Sequence, residues 1–213
     1  MKSTLETIAE RTGFSTSTVS RVLSGKAKDG RISEKTSEII RKAADDIGYT
    51  PNILAQNLRK GRTFTIGLVV PDISNPYFAE ITSVIVAEAK KSGYTTIVTD
   101  TMENEAAQKD SVCALVSRKV DGMIIVPCGS DPKFLEEINA QTAPVILVDR
   151  YFEDSRLPYV ATNNWQGGFD GTNILLRNAH RKIACIQGNL DSPPNRRRIE
   201  GYRAALRKAG LED

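Results

Sequence analysis

The chain is short of cysteine, histidine and long apolar runs, and each shortage removes a class of protein. Three cysteines in 213 residues, Cys113, Cys128 and Cys185, are scattered and odd in number. That argues against a disulfide framework and reads as reduced thiols in a cytoplasmic protein. His180 is the only histidine. No Cys/His spacing makes a metal site, and no serine or cysteine has an evident imidazole base for a nucleophilic triad. The longest apolar runs, "MIIVP" and "VILVD", fall far short of a bilayer-spanning helix. No charged segment followed by an apolar one opens the chain, so no secretory leader is expected. "GGFDG" at 167–171 has neither dinucleotide nor phosphate-loop spacing, and is expected to open a helix with close packing. Asp149 and Asp191 are paired carboxylates without a partner pattern. These shortages point away from an enzyme, a metal centre or a bound cofactor.

What is present is an ordinary hydrophobic fraction of 40%, enough for a sizeable core, and an uneven charge. Residues 1–62 carry 12 Lys+Arg against 7 Asp+Glu, whereas residues 63–213 carry 17 against 19. The positive charge belongs to the N-terminal part, whose natural partner is a polyanion.

That part reads as three short helices. "STLE" at 3–6 fits a capping box with Ser3 as N-cap, Leu5, Ile8 and Ala9 follow at helical spacing, and Gly13 supplies a left-handed stop. A second helix starts at Ser15 or Thr16 and runs to about Ser24, with Gly25 behind it. A third is capped by Ser33, carries Ile40, Ala43, Ala44 and Ile47, and ends at Gly48. On a helical wheel Val19, Val22 and Leu23 face the bundle, while Thr16, Ser17, Ser20 and Arg21 fall on the opposite arc. Two helices joined by a tight glycine turn, the second with a polar face, describe a helix-turn-helix. Hydroxyls reach phosphates and base edges without bulk, and an arginine can fork onto guanine O6 and N7. From polarity alone, a solvated Ser/Thr-rich helix in an unrelated three-helix unit stays open.

"LETIAERTGFSTSTVSRVLSGK" resembles the N-terminal helix-turn-helix of the lactose-repressor (LacI/GalR) family of bacterial regulators, above all in its "A…G.S..TVSR.L" core. The resemblance implies that Thr16, Ser17 and Arg21 read the major groove, with Ser15 and Ser20 beside them. "SGKAKDGRISEKT" departs from the family in being longer and more basic, which offers Lys26, Lys28 and Arg31 to phosphates or leaves a solvated loop. "YTPNILAQNLRKGRT" at 49–63 holds barely two turns of helix after Thr50 and Pro51, too short to be stable alone. On its own it reads as a linker. By resemblance it is the family's hinge helix, which folds when two copies meet in the minor groove. Leu58 is then the wedge at the central base step, Asn52 and Ala55 lie on neighbouring turns, and Arg59, Lys60 and Arg62 lie near phosphates.

From Phe64 onward strands and helices alternate. "FTIGLVV" (64–70), "YTTIVTD" (94–100), "MIIVP" (123–127) and "VILVD" (145–149) read as buried strands, with helices near 77–92, 104–118 and 132–140. A second set is expected from Tyr159: "YVAT", a helix around 165–178, a strand "KIACIQG" (182–188) and a helix near 195–209. The alternation predicts parallel βαβ units wound on both faces of a sheet. Ligands gather beyond the carboxyl ends of such strands, which selects Asp72, Asn75, Asp149, Arg150, Asp191 and Arg198 with the rings of Tyr77 and Phe78. Such groups suit a sugar or similar polyol.

"IGLVVPDISNPYFAEI", "VDGMIIVP", "VILVDR" and "IQGNLDSPPNRRRIEGYRAAL" are similar to landmarks of the same family's effector-binding core. The resemblance implies that Tyr77 and Phe78 flank the effector, that Asp149 lines the cleft and that Arg198 anchors the effector, with Arg196 and Arg197 beside it; Asp72 joins the expected effector site from its place beyond a strand end. Pro193 and Pro194 stand where other relatives offer polar ligands. The whole is expected to be an all-α helix-turn-helix head (1–49) and a hinge helix (50–62), followed by an α/β core like a periplasmic binding protein. That core has parallel sheets with helices on both faces, an N-terminal subdomain (63–158) and an incomplete second subdomain (159–213), roughly the last third of a typical member being absent. The implied partners are double-stranded operator DNA, a sugar-like effector and a second copy of the chain, with no membrane. The implied function is a sequence-specific transcriptional regulator, a repressor, in the cytoplasm and on the nucleoid. The alternative is a solute-binding module of transport or chemotaxis type, which would need a leader and no DNA-reading head.

Overall fold

The computed structural model describes residues 4–28, 30–49, 61–188 and 192–211. The chain divides into two compact units, residues 1–61 and 62–213.

In the first unit, α1 (Leu5–Thr12), α2 (Thr16–Leu23) and α3 (Glu34–Asp46) form a three-helix bundle. Each begins where a hydroxyl takes an orphan N–H of the first turn: Thr4 accepts from Thr7 N, Ser15 from Thr18 N and Ser33 from Thr36 N. The cap of α1 thus falls one residue after the expected Ser3, because Thr4 has the extended backbone that aims its Oγ at the N–H of the third helical residue, Thr7. Gly13 closes α1 at φ +70°, its N–H bonded to Ala9 O. That left-handed residue, which only glycine adopts without strain, turns the chain directly into α2. Ile8, Val19, Val22, Ile40 and Ala44 make the core, with Leu23, Ala43 and Ile47 packed on it.

In the second unit, β1 (Thr65–Val70), β2 (Thr95–Asp100), β3 (Gly122–Ile125), β4 (Val145–Val148) and β5 (Tyr159–Val160) form one parallel sheet in the order β2-β1-β3-β4-β5. Side chains alternate across it. Val69, Met123, Ile125, Val145 and Leu147 meet α5 (Glu105–Ser117) and α6 (Lys133–Gln141) on one face. Leu68, Val70 and Val126 meet α4 (Pro76–Lys91) on the other. Beyond α4 that second face opens into an apolar groove of about 720 Å³ lined by Ile124, Ile146, Val148 and Val160. The chain reverses direction across the sheet between β1 and β3, so the loops after those strands part there and leave a crevice.

Three expectations change. Strand β2 is not buried: at the edge of the sheet it has one neighbour only, and it is exposed at Thr95 and Asp100 and half-exposed between them. Tyr159–Val160 does not open a second sheet: it pairs with β4, Leu147 facing Tyr159 and Val148 facing Val160. Residues 182–188 form no strand. A strand needs a hydrogen-bonded neighbour, and no described segment runs beside this one. The Tyr202 hydroxyl donates to Ile183 O at 2.8 Å instead, and Ile186 is 97% exposed. Around this segment α7 (Asn164–Arg177) and α8 (Pro193–Lys208) pack on one another.

Candidate nucleic-acid interface and ligand cleft

On α2 burial of Val19 and Val22 fixes what the other side shows. Ser15, Thr16, Ser17 and Arg21 are exposed and Ser20 is half-exposed. Ser15 is occupied by capping, its hydroxyl 2.9 Å from both Ser17 Oγ and Thr18 Oγ1, which leaves Thr16 and Arg21 as outward-reaching groups. Arg21 forms no ion pair among the described residues, and its stem lies against Gly30, where an added Cβ would stand 3.2 Å from Arg21 Cδ. Lys26, Lys28 and Arg31 are exposed around the same turn, so a band of positive charge continues from the helix. Asn52, Ala55 and Leu58 lie outside the described residues, as does Asp191.

The candidate cleft of the second unit is built from strand ends. Asp149 follows β4 and is 8% exposed with a left-handed φ of +65°. The hydroxyl of Tyr77, on the first turn of α4, donates to Asp149 Oδ1 at 2.7 Å. Burial raises the Tyr77 phenol to about 12, reinforced by that hydrogen bond and by the charge of Asp149, while the positive charge of Arg198 opposes it. Arg198 therefore lies close enough to act on the pair. Asn75 caps α4 by accepting from Tyr77 N, and Pro76 supplies the preset φ of the first turn.

Beside this pair Arg150 forms a two-pronged ion pair with Glu103, at 2.6 and 2.7 Å, with its guanidinium 5.5 Å from the centre of the Phe78 ring. The hydrogen bonds that Arg150 donates to Glu103 hold its pKa above the usual range. Glu103 and its neighbour Met102 both have positive φ, backbone held in place by bonds to Pro71 O and the Asp100 carboxylate. Glu103 and Arg150 line a hollow of about 470 Å³ with Cys128, Glu153, Pro193 and Arg196. Both backbone groups of Cys128 are held by buried Gln108, and burial pushes the Cys128 thiol up. Glu153 pairs with Arg196 and Arg197, tying the first turn of α8 to the loop after β4.

The structure brings Tyr77 and Asp149 together, with the charge of Arg198 felt at Tyr77, and gives two other expected residues different roles. Phe78 is 5% exposed in the core with Leu68, Val70 and Val126, so its ring supports Tyr77 and Arg150 from beneath. Asp72 spends one oxygen on its own turn, accepting from Ser74 N and Ser74 Oγ, bonds that lower its pKa. Helix periodicity marks Phe78 as apolar and inward, at i, i+3 and i+7 with Ile81 and Ile85, which separates it from its neighbour Tyr77. The Glu103–Arg150 pair left no local trace, its members being far apart in the chain. The close packing expected for "GGFDG" is present: a side chain at Gly168 would run into the backbone of Arg198.

A helix-turn-helix unit followed in one chain by a parallel α/β unit with a cleft at its strand ends defines a class of two-unit sensor-like chains. Residues 4–52 match the bacterial regulatory proteins of the lacI family, and residues 63–213 match the periplasmic binding proteins and sugar binding domain of the LacI family. The chain belongs to the LacI family. It is 32% identical over 210 residues to the ribose operon repressor of Escherichia coli K12, and 31% identical over 210 residues to the HTH-type transcriptional repressor CytR of the same strain. The alignments cover 98% of this chain in both cases, and 62% and 60% of those proteins, so the chain spans less than two thirds of their length. Among solved structures it resembles the Lac repressor dimer bound to operator and the anti-inducer ONPF (TM-score 0.85, 25% identity, 98% of this chain and 63% of that one). It also resembles a LacI-type regulator from Alkaliphilus metalliredigens complexed with D-xylulofuranose (TM-score 0.63, 30% identity, 70% and 54%). No helix among the described residues is long and apolar enough to cross a membrane.

Proposed function

We propose that this chain is the DNA-reading and sensing part of a transcriptional repressor whose operator affinity is set by a sugar-like effector. The observation that carries the reading is the face of α2, where Thr16, Ser17 and Arg21 stand exposed opposite the buried Val19 and Val22. A helix so divided can enter a major groove, with Arg21 forking onto a guanine, the hydroxyls of Thr16, Ser17 and Ser20 meeting phosphates or base edges, and Ser15 capping the helix that presents them. Two copies bind a near-palindromic operator, and residues 50–62 act as the hinge, with Asn52, Ala55 and Leu58 in the minor groove. The names of the relatives support a sugar: one is a ribose operon repressor and another was solved with D-xylulofuranose.

In the cleft, Asp149 and Arg198 take effector hydroxyls, Tyr77 offers a ring face and holds Asp149, Phe78 supports that ring, and Asp72 shapes the turn beside it. The effector acts by binding two states of the regulator unequally, and the reading contains no catalytic step. A cytoplasmic location follows from the DNA partner. Selection of bound sites from a random duplex pool tests the proposal. The expected product is a palindrome with a flexible central step, bound more tightly than its scrambled version. Equal, purely salt-dependent affinity for both would reject it.

A further inference from the structure

We propose that Gly168 and Gly201 are positioning residues for the cleft: by having no side chain they let α7 and α8 pack backbone against backbone, and this sets where Arg198 stands relative to the Tyr77–Asp149 pair. The contacts are reciprocal. A Cβ at Gly168 would strike the carbonyl oxygen of Arg198, with Arg198 C at 2.8 Å and Cα at 2.9 Å behind it. A Cβ at Gly201 would strike the carbonyl oxygen of Trp165, with Phe169 N at 2.7 Å. In both cases the obstacle is main chain, which cannot rotate aside, so a methyl group at either position pushes the helices apart along their whole contact.

What this separation moves follows from how the cleft is tied together. Asp149 N donates to Val160 O at 2.9 Å, so the start of the connection into α7 is fixed to the carboxylate that Tyr77 holds. The connection leads into α7, capped by Asn163, and α7 carries Gly168 against Arg198. Arg198 is thus registered to Asp149 through one backbone hydrogen bond, one short connection and one glycine notch. On its other side the first turn of α8 is held by the Arg197–Glu153 pair at 2.8 Å. A shift at the notch therefore swings Arg198 about the Glu153 tie and does not carry the whole helix away.

The glycines nearby supply internal controls. Gly167 and Gly171 lie on the same helix, and a Cβ at either would meet nothing within 4 Å. Alanine there favours the helix without touching α8.

This inference rests on Arg198 as the effector anchor, and its test needs no effector, so a failure here is separable from a failure of that assignment. The full chain is prepared with 3-fluorotyrosine at position 77, which lowers phenol ionisation into a convenient range, and the residue is titrated by 19F NMR while helicity is followed by circular dichroism. Because the positive charge of Arg198 favours the phenolate, Arg198→Ala raises the titration midpoint. Gly168→Ala and Gly201→Ala are expected to raise it in the same direction with helicity retained, and Gly167→Ala and Gly171→Ala to leave it unchanged. A wild-type midpoint in folded Gly168→Ala and Gly201→Ala overturns the proposal. So does an unchanged midpoint in Arg198→Ala, which would mean that the charge of Arg198 is not felt at Tyr77. Loss of helicity in both notch variants would also overturn it, because the glycines would then be requirements of folding and not of register.

Discussion

The Tyr77 hydroxyl donates a 2.7 Å hydrogen bond to Asp149 Oδ1, joining the first turn of α4 to the end of β4 at the mouth of the cleft. Tyr77 is 46% exposed and Asp149 8%, so the phenol shields a buried carboxylate from solvent on one side and faces the cleft on the other. The pair is a platform whose two members depend on each other.

Its first consequence is a dependence on pH. The folded phenol ionises at about 12 against 10 for the free side chain. The folded state thus holds its proton more tightly than the unfolded state. The contribution is complete below pH 10 and is lost as pH rises from 10 through 12. Tyr77→Phe should cost about 1 kcal/mol at neutral pH, the value of a partly exposed hydrogen bond to a charged group. Urea melts of both proteins at a series of pH values should converge above pH 10. Parallel curves would show that ionisation of Tyr77 is not linked to folding.

Arg21 carries the expected base readout. Arg21→Ala should cost about 1–3 kcal/mol on the selected operator and relax preference at one base pair in each half-site. Arg21→Lys should restore the charge without the fork, recovering affinity for scrambled DNA more than for operator. Competition binding on single-substituted operators reads the difference, and uniform weakening across all of them would reduce Arg21 to a phosphate contact.

The turn into α2 depends on Gly13. At φ +70° with open space around it, Gly13→Ala meets no clash and pays only for backbone conformation, about 1 kcal/mol. Thermal melting of the isolated three-helix signal should fall by a few degrees. Removing the cap at Ser15 by Ser15→Ala should cost a similar amount.

Gly67 shows the opposite limit. On the interior strand β1, a Cβ there would stand 2.6 Å from Leu115 Cδ1. Gly67→Ala should destabilise the second unit by about 1–3 kcal/mol through overpacking, measured by denaturant unfolding. Gly67→Ala combined with Leu115→Ala should recover less than half of the loss, since the shortened side chain leaves a cavity elsewhere in the core.

The Glu103–Arg150 pair is an electrostatic latch on the cleft wall. Glu103→Gln should leave Arg150 on the Phe78 ring with one weaker partner, lowering stability by about 1 kcal/mol, an effect that shrinks in high salt. Melting curves at low and high ionic strength decide it. A salt-independent loss would point to shape and not charge.

The sequence by itself determined the local grammar of this protein. The hydroxyl caps at Ser15 and Ser33, the left-handed Gly13, the buried arc of Val19 and Val22 and the four apolar strands all rest on neighbours within a few residues, where spacing and chirality suffice. The family resemblance rests on the same short motifs. Only the tertiary structure decided which distant groups meet: Tyr77 with Asp149, Glu103 with Arg150, and Gly168 with Arg198. It also decided that Phe78 goes inward, that Tyr159–Val160 completes the first sheet, and that 182–188 pairs with no strand. The reason is that pairing across a sheet and contact between helices depend on which elements the topology makes neighbours. Periodicity along the chain states which face is apolar and is silent about what will cover it.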